Sequence, residues 1–149
     1  MLKLTLAKIR NAIYPVGFYR IKSIRIKQIC LDLIKRFRAK VPDNLEDLLS
    51  LKGVGRKTAN LVLTLGFGKL GICVDTHVHR ISNRLGIVRT HNPFETEMVL
   101  RKVLPKKFWI EYNNLLVAFG QNICKPVSPL CSKCNISIYC PRVNVEYHR

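Results

Sequence analysis

The segment from Leu51 to Arg84 constrains the fold most strongly, because it places two helix starts close together in the chain. Residues 53–55 form a Gly-Val-Gly turn, and glycine reaches the positive φ values of such a turn without steric cost. A helical spacing of apolar residues follows from Arg56 to Leu65, and Gly66 supplies a C-terminal stop. A helix start beside an exposed glycine turn offers free backbone N–H groups to an anion, so this segment predicts a phosphate-binding site.

A lysine and an aspartate stand at the two predicted helix starts. Lys57 lies in the first turn of the first helix, where the positive end of the helix dipole disfavours a second positive charge and so favours the free amine that a nucleophile needs. Asp75 precedes a helical pattern from Thr76 to Leu85, so its carboxylate is predicted to cap that helix. Taken singly, a solvated surface lysine and a structural cap are the simpler interpretations.

The charge balance of the chain indicates a polyanionic partner. Lysine and arginine number 26 against 9 aspartate and glutamate residues, a formal net charge of +17, and the first forty residues carry eleven bases and one acid. No segment approaches the roughly 18 unbroken apolar residues of a membrane-spanning helix. The N-terminal residues alternate apolar and basic side chains and lack a signal-peptide core. The sequence therefore predicts an intracellular, cytoplasmic location.

Helical patterns account for most of the chain, and no segment shows the alternation of a strand, so the predicted fold class is all-α. Two of the helix starts carry strong capping signals, Asp43 with Glu46 and Asn92 with Pro93. Besides the two helices above, the predicted helices cover Leu2–Ile13, Tyr19–Phe37, Asp43–Ser50, a segment from Asn92 to near Pro105, and Lys107–Phe119 with a stop at Gly120.

Four of the six cysteines lie close together near the C-terminus. Their spacing is C-x6-C-x2-C-x5-C, and they are Cys124, Cys131, Cys134 and Cys140. Four thiolates in so short a segment can enclose an iron–sulfur cluster or a zinc ion, but zinc sites usually pair two C-x2-C hooks and this segment has one. A pair of disulfides is the remaining interpretation, and it is disfavoured in an intracellular protein. Cys30 and Cys73 lie among apolar residues and are predicted to be core residues.

Two blocks of the sequence resemble the endonuclease III family of helix-hairpin-helix DNA glycosylases and abasic-site lyases: residues 51–59, LKGVGRKTA, and residues 74–80, VDTHVHR. The resemblance implies the all-α fold of that family, with Lys57 as the nucleophile and Asp75 as the essential carboxylate. Lys52 stands where the family usually has proline. The cysteine spacing matches the [4Fe-4S] loop of the family, which implies that the four clustered cysteines bind such a cluster in a structural role.

The function that this resemblance implies is base-excision DNA repair. Such an enzyme removes oxidised or ring-reduced pyrimidines from double-stranded DNA, and its lysine forms a Schiff base through which the abasic site is cleaved by β-elimination. Phe18 falls on the position of an apolar wedge that enters the base stack, with a core phenylalanine as the alternative. The other expected DNA contacts are Lys22, Lys52, Gly53, Val54, Gly55, Arg56 and His77.

Two other functions stay open. One is a monofunctional mismatch or adenine glycosylase of the same superfamily; Lys57 argues against it, because those relatives have another residue there and activate water. The other is a non-catalytic DNA-binding module, in which the hairpin grips phosphate and the cluster is a scaffold.

The resemblance also implies how the chain is divided. Residues 1–104 are expected to form a helical lobe with the helix-hairpin-helix at about 43–66, and residues 105–149 a C-terminal helix with the cluster loop. Family members begin several helices before the start of this sequence. We therefore expect the N-terminal part of the family fold to be missing here, with three explanations open: a truncated gene product, a mis-assigned start, or a protein in which self-association or a partner covers the missing surface. With DNA as the substrate, the expected location narrows to the nucleoid.

Overall fold

The computed structural model describes residues 1–149 and contains helices and connecting segments but no strand, so the predicted all-α class is confirmed. The α-helices are α1 (Leu6–Ile13), α2 (Tyr19–Phe37), α3 (Leu45–Leu49), α4 (Arg56–Leu61), α5 (Thr76–Arg84), α6 (Pro93–Val103) and α7 (Trp109–Asn122). A π-helical turn, Val62–Gly66, follows α4. The remaining elements are three short 3-10 turns: Lys106–Phe108, Cys131–Lys133 and Ser137–Tyr139. No helix has the length and apolar character that crossing a membrane requires.

The chain divides into two compact units, residues 1–55 and residues 56–149. In the first unit α1 packs against α2, and the Ser23 hydroxyl accepts a hydrogen bond from Arg10 Nε at 3.4 Å. α2 has the predicted bounds, but apolar side chains along it stay exposed, among them Ile21 at 57% and Ile34 at 53%. The division into lobes after residue 104 stays a prediction.

The second unit is built around α5, which contacts both α6 and α7. Val78 and Ile81 of α5 have no exposed surface. They belong to a core that also contains Ile72, Val74, Val88, Leu100, Trp109 and Leu116. Because Asp75 immediately precedes α5, this core fixes the position of its carboxylate within the unit.

Two predicted helix starts are wrong by a few residues. α1 begins at Leu6 rather than Leu2, because the Thr5 side chain caps it by accepting a backbone N–H. α3 is capped by Asn44 rather than by Asp43; the Asn44 backbone is extended, with φ −130°, and its side-chain oxygen accepts a backbone N–H of the first turn at 2.9 Å. Both caps satisfy an N–H group that has no partner inside the helix.

The helix stop predicted at Gly120 is also wrong, because α7 continues to Asn122. A Cβ on Gly120 would lie 2.5 Å from His77 Nδ1 and 3.0 Å from Arg80 Nη2, both on α5. The absence of a side chain therefore serves the close packing of α7 on α5 and does not mark a helix end.

Candidate functional site

Lys57 and Asp75 lie together in the second unit. Lys57 is the second residue of α4, Asp75 immediately precedes α5, and Lys57 Nζ is 3.5 Å from Asp75 Oδ2. The lysine side chain is 55% exposed and the aspartate side chain 9%. An amine that faces solvent thus has a nearly buried carboxylate beside it, at ion-pair distance.

The start of α5 orients the carboxylate of Asp75. Its Oδ1 atom accepts hydrogen bonds from the backbone N–H groups of His77 and Val78, at 2.8 and 2.9 Å, so the predicted cap is confirmed. Both of these bonds use the same oxygen. The other oxygen, Oδ2, is the one that faces Lys57.

Cys73 connects the first turn of α4 to α7. Its thiol donates to the backbone carbonyl of Lys57 at 3.4 Å, and Asn113 of α7 donates to the Cys73 carbonyl at 2.9 Å. Burial raises the pKa of the Cys73 thiol, so the group stays protonated and able to donate. Cys73 is 3% exposed, which confirms it as a core residue, whereas Cys30 is only half-buried.

Arg56 is engaged within the protein. Its Nε and Nη2 atoms donate to the two carboxylate oxygens of Glu97 at 2.9 and 2.8 Å, and its guanidinium lies 5.0 Å from the ring centroid of Phe94. Arg101 donates to the same carboxylate. Burial by itself raises the pKa of Glu97, but the hydrogen bonds from Arg56 and Arg101 outweigh it and lower that pKa. This ion pair ties the start of α4, next to Lys57, to α6; a contact of Arg56 with DNA stays a prediction.

Only one residue of the glycine turn adopts the left-handed conformation. Gly53 has φ +100°, and a Cβ there would lie 3.0 Å from the side chain of Arg25. Gly55 has no positive φ, and a Cβ there would meet no atom within 4 Å. The Val54 N–H donates to the Leu51 carbonyl at 3.0 Å and closes the turn. A positive φ therefore explains Gly53, but the expectation of one at Gly55 is wrong.

The remaining residues expected to contact DNA differ in exposure. Phe18, immediately before α2, is 81% exposed and has φ +59°, a costly conformation for a residue with a side chain, so the alternative of a core phenylalanine is wrong. Lys22 and Lys52 are exposed. His77 is half-buried, with Nδ1 3.2 Å from Arg80 Nη2. The roles of these residues on DNA stay predictions.

The four clustered cysteines line one cavity of the second unit, together with apolar side chains such as Ile81 and Phe119. No three cysteine, histidine, aspartate or glutamate side chains are grouped closely enough to hold a single metal ion. Cysteine side chains around one cavity are the ligand type of iron–sulfur clusters.

Sequence reasoning missed two buried charged residues, Arg84 and Glu97, which are 9% and 2% exposed. Their helix positions carried a signal. Arg84 falls three residues after the buried Ile81, and Glu97 three residues before the buried Leu100, so each lies on the apolar face of its helix. A charged residue at such a position needs a partner inside the protein.

Comparison with known proteins identifies the family. The profile of the family described as "HhH-GPD superfamily base excision DNA repair protein" matches residues 1–106. The chain belongs to this superfamily. Its relatives within the HhH-GPD superfamily include endonuclease III proteins, which confirms the resemblance seen in residues 51–59 and 74–80.

Two relatives and one solved structure illustrate the similarity of this HhH-GPD chain to endonuclease III. The Thermotoga maritima endonuclease III is 53% identical over 124 residues, which cover 83% of this chain and 58% of that protein. Endonuclease III homolog 1, chloroplastic, of Arabidopsis thaliana is 46% identical over 141 residues, 89% of this chain and 37% of that protein. A solved structure of a trapped endonuclease III–DNA covalent intermediate matches with a TM-score of 0.86 and 37% identity, over 95% of this chain and 67% of that one. The chain thus spans little more than half the length of the bacterial relative and less of the plant one.

Proposed function

We propose that this HhH-GPD chain works in DNA base-excision repair as a bifunctional DNA glycosylase and abasic-site lyase of the endonuclease III type. The observation that carries the proposal is the pair of Lys57 Nζ and Asp75 Oδ2, 3.5 Å apart at the starts of α4 and α5. An amine beside a carboxylate can lose a proton and attack an electrophilic carbon. The structural relative described as a trapped covalent intermediate with DNA supports this reading, because a covalent adduct requires a protein nucleophile.

In this proposal the Lys57 amine attacks C1′ of a deoxyribose in double-stranded DNA. The new C–N bond forms as the bond from C1′ to an oxidised or ring-reduced pyrimidine breaks, and the base leaves with the electron pair. The Asp75 carboxylate either accepts the proton that the amine loses or stays ionised and stabilises the positive charge that develops on the sugar. Ring opening gives a Schiff base. Loss of a C2′ proton then breaks the C3′–O bond, and the 3′ phosphate departs.

The grip on DNA is assigned to the glycine turn, the wedge and the basic surface. Gly55 needs neither a positive φ nor space inside the protein, so its missing side chain leaves room for a phosphate to approach the backbone. The exposed Phe18 supplies an apolar wedge, since C1′ is reached only after the nucleotide is flipped out of the stack. The net charge of +17 attracts the phosphate backbone.

The four clustered cysteines are assigned as ligands of a [4Fe-4S] cluster. Because four protein thiolates would occupy all of its ligand positions, the cluster would have no open site for substrate, and its role would be to order the loop. Metal analysis and the visible absorption of iron–thiolate charge transfer test this assignment. Iron with colour supports it, and zinc without colour contradicts it.

Borohydride trapping on a duplex with one abasic site tests the lyase. The wild-type chain is expected to give a covalent adduct and a nicked strand, and Lys57→Ala neither. Lys102→Ala removes an exposed lysine of the same unit and is the matched control, expected to trap like wild type. Asp75→Asn is expected to trap about 100-fold more slowly, the usual scale of a lost acid–base group.

Two outcomes would replace the proposed mechanism. If Lys57→Ala traps as well as wild type, another residue is the nucleophile. If the wild-type chain shifts the duplex in a gel but gives no adduct and no nick, the chain is a DNA-binding module. A duplex with dihydrothymine in place of the abasic site separates the third possibility, because a monofunctional glycosylase releases the base without cutting the strand.

A further inference from the structure

Arg84, the last residue of α5, contacts the beginning of the cysteine segment, which runs from Cys124 to Cys140. The residue is 9% exposed. Its Nη1 and Nη2 atoms donate to the backbone carbonyls of Lys125 and Pro126, both at 2.7 Å, and Nη1 also donates to Cys124 Sγ at 3.4 Å. One side chain thus holds the first clustered cysteine and the two residues that follow it.

The backbone of the same residue holds the other end of that segment. The Arg84 carbonyl accepts a hydrogen bond from the Val143 N–H at 3.1 Å, and the Cys140 thiol lies 3.5 Å from the same oxygen. Arg84 therefore contacts both ends of the cysteine segment, at Cys124 through its side chain and at Val143, after Cys140, through its carbonyl. Closing a segment costs conformational entropy, and anchoring both ends on one helical residue meets that cost before any ligand binds.

The charge of Arg84 also lacks a conventional partner. The guanidinium donates to two carbonyl oxygens and one sulfur, and none of these partners is a carboxylate. A buried cation without a counter-ion is costly, so a charged residue in such a place is expected to face negative charge. Thiolates that ligate an iron–sulfur cluster carry that charge, and Cys124 is one of the four.

We propose that Arg84 is a positioning residue for the [4Fe-4S] cluster. Arg84 holds the two ends of the cysteine segment together and offsets the negative charge of the ligating thiolates. The inference rests on the cofactor proposed above. Arg84 also acts on the electronic state of the cluster, because a hydrogen bond from a cation to a ligating sulfur favours the reduced form and raises the reduction potential.

The test compares Arg84→Met and Arg84→Lys with wild type and with Arg89→Met, which removes the same charge at an exposed position of the second unit. Each full-length protein is purified without oxygen, its helix content is checked by circular dichroism, and four quantities are measured: iron per chain, visible absorption, the rate of iron loss to a chelator, and the reduction potential. Arg84→Met is expected to lose iron about tenfold faster than wild type, the effect of one charge-assisted hydrogen bond. Arg89→Met is expected to match wild type.

Arg84→Lys keeps the test decisive if the methionine variant does not fold. Lysine retains the charge, but a single ammonium cannot span two carbonyls and a sulfur, so we expect intermediate iron loss and a lower reduction potential than wild type. Unchanged iron content, rate and potential in the Arg84 variants would overturn the inference and leave the cofactor standing. Equal effects of Arg84→Met and Arg89→Met would overturn it as well. Wild-type protein without iron would instead remove the cofactor, and this inference with it.

Discussion

At the scale of single residues, Gly55 is a position where the requirements of folding and of DNA binding can be tested separately. It has no positive φ, and an added Cβ would meet nothing within 4 Å. Gly55→Ala is therefore expected to leave the free energy of unfolding unchanged or raise it by up to ~1 kcal/mol. Its affinity for an abasic-site duplex is expected to fall about tenfold, because the methyl group blocks the approach of a phosphate to the backbone N–H groups. Urea denaturation and fluorescence anisotropy measure the two quantities.

Gly53→Ala is the matched control for that prediction. Gly53 has φ +100°, and its Cβ would lie 3.0 Å from the Arg25 side chain, so this substitution is expected to lower the free energy of unfolding by at least ~1 kcal/mol. If Gly55→Ala destabilises the protein as much as Gly53→Ala does, Gly55 has a structural role and the phosphate argument fails.

The residues of the site differ in how far the sequence could predict them. The cap by Asp75 depends on N–H groups two and three residues away, so a local pattern was enough to predict it. The hydrogen bonds of Arg84 reach residues 40 to 42 positions along the chain. No local pattern contains those partners, and only the packing of the second unit brings them together.

At the scale of helices, the bond between α4 and α6 through Glu97 carries a second prediction. Glu97→Gln leaves the guanidinium groups of Arg56 and Arg101 without their counter-charge, so the free energy of unfolding at neutral pH is expected to fall by about 2 kcal/mol. That value is below the usual cost of breaking a buried pair, because the two arginine side chains are 31% and 28% exposed. Glu111→Gln, at an exposed position of α7, is the control and is expected to change little.

The pH dependence of the same pair follows from the lowered pKa of Glu97. A carboxyl group whose pKa is lower in the folded protein stabilises it above the ordinary glutamate pKa, and this stabilisation is lost as the pH falls through the folded pKa. The stability difference between wild type and Glu97→Gln is therefore expected to stay constant above the ordinary pKa and to shrink at acidic pH. A difference that grows on acidification would contradict the role of the ionised carboxylate.

Helix prediction succeeded at the strongest local signals, but it missed two local caps, those by Thr5 and Asn44, and one glycine whose role depends on tertiary contacts. The long apolar period of α2 and the Asn92–Pro93 start of α6 were predicted at the residues where the structure has them. Gly120 was misread because a glycine inside a helix and a glycine at its end look alike in sequence. The period of α2 also predicted which residues share a face, but a period does not say whether another element covers that face.

At the scale of the whole molecule, two short blocks were enough to predict the family, which the match over residues 1–106 confirms. The division into units 1–55 and 56–149 was not predicted. The boundary between the units lies directly after Gly55, inside the sequence block of residues 51–59. A motif describes local conformation and chemistry, whereas compact units follow from contacts between distant parts of the chain.

The net charge of +17 carries the last prediction, which concerns the whole surface. Phosphate contacts release condensed counterions, so the affinity for duplex DNA is expected to fall at least tenfold between about 50 and 200 mM salt. The slope of log affinity against log salt concentration is expected to fall in magnitude by about one in Lys52→Gln, beside the glycine turn. In Lys102→Gln it is expected to stay unchanged, since only a lysine that contacts phosphate contributes to the slope. Anisotropy titrations at several salt concentrations measure the slopes. A flat dependence in wild type would assign the basic surface to another partner, and equal slopes in the three proteins would remove Lys52 from the DNA interface.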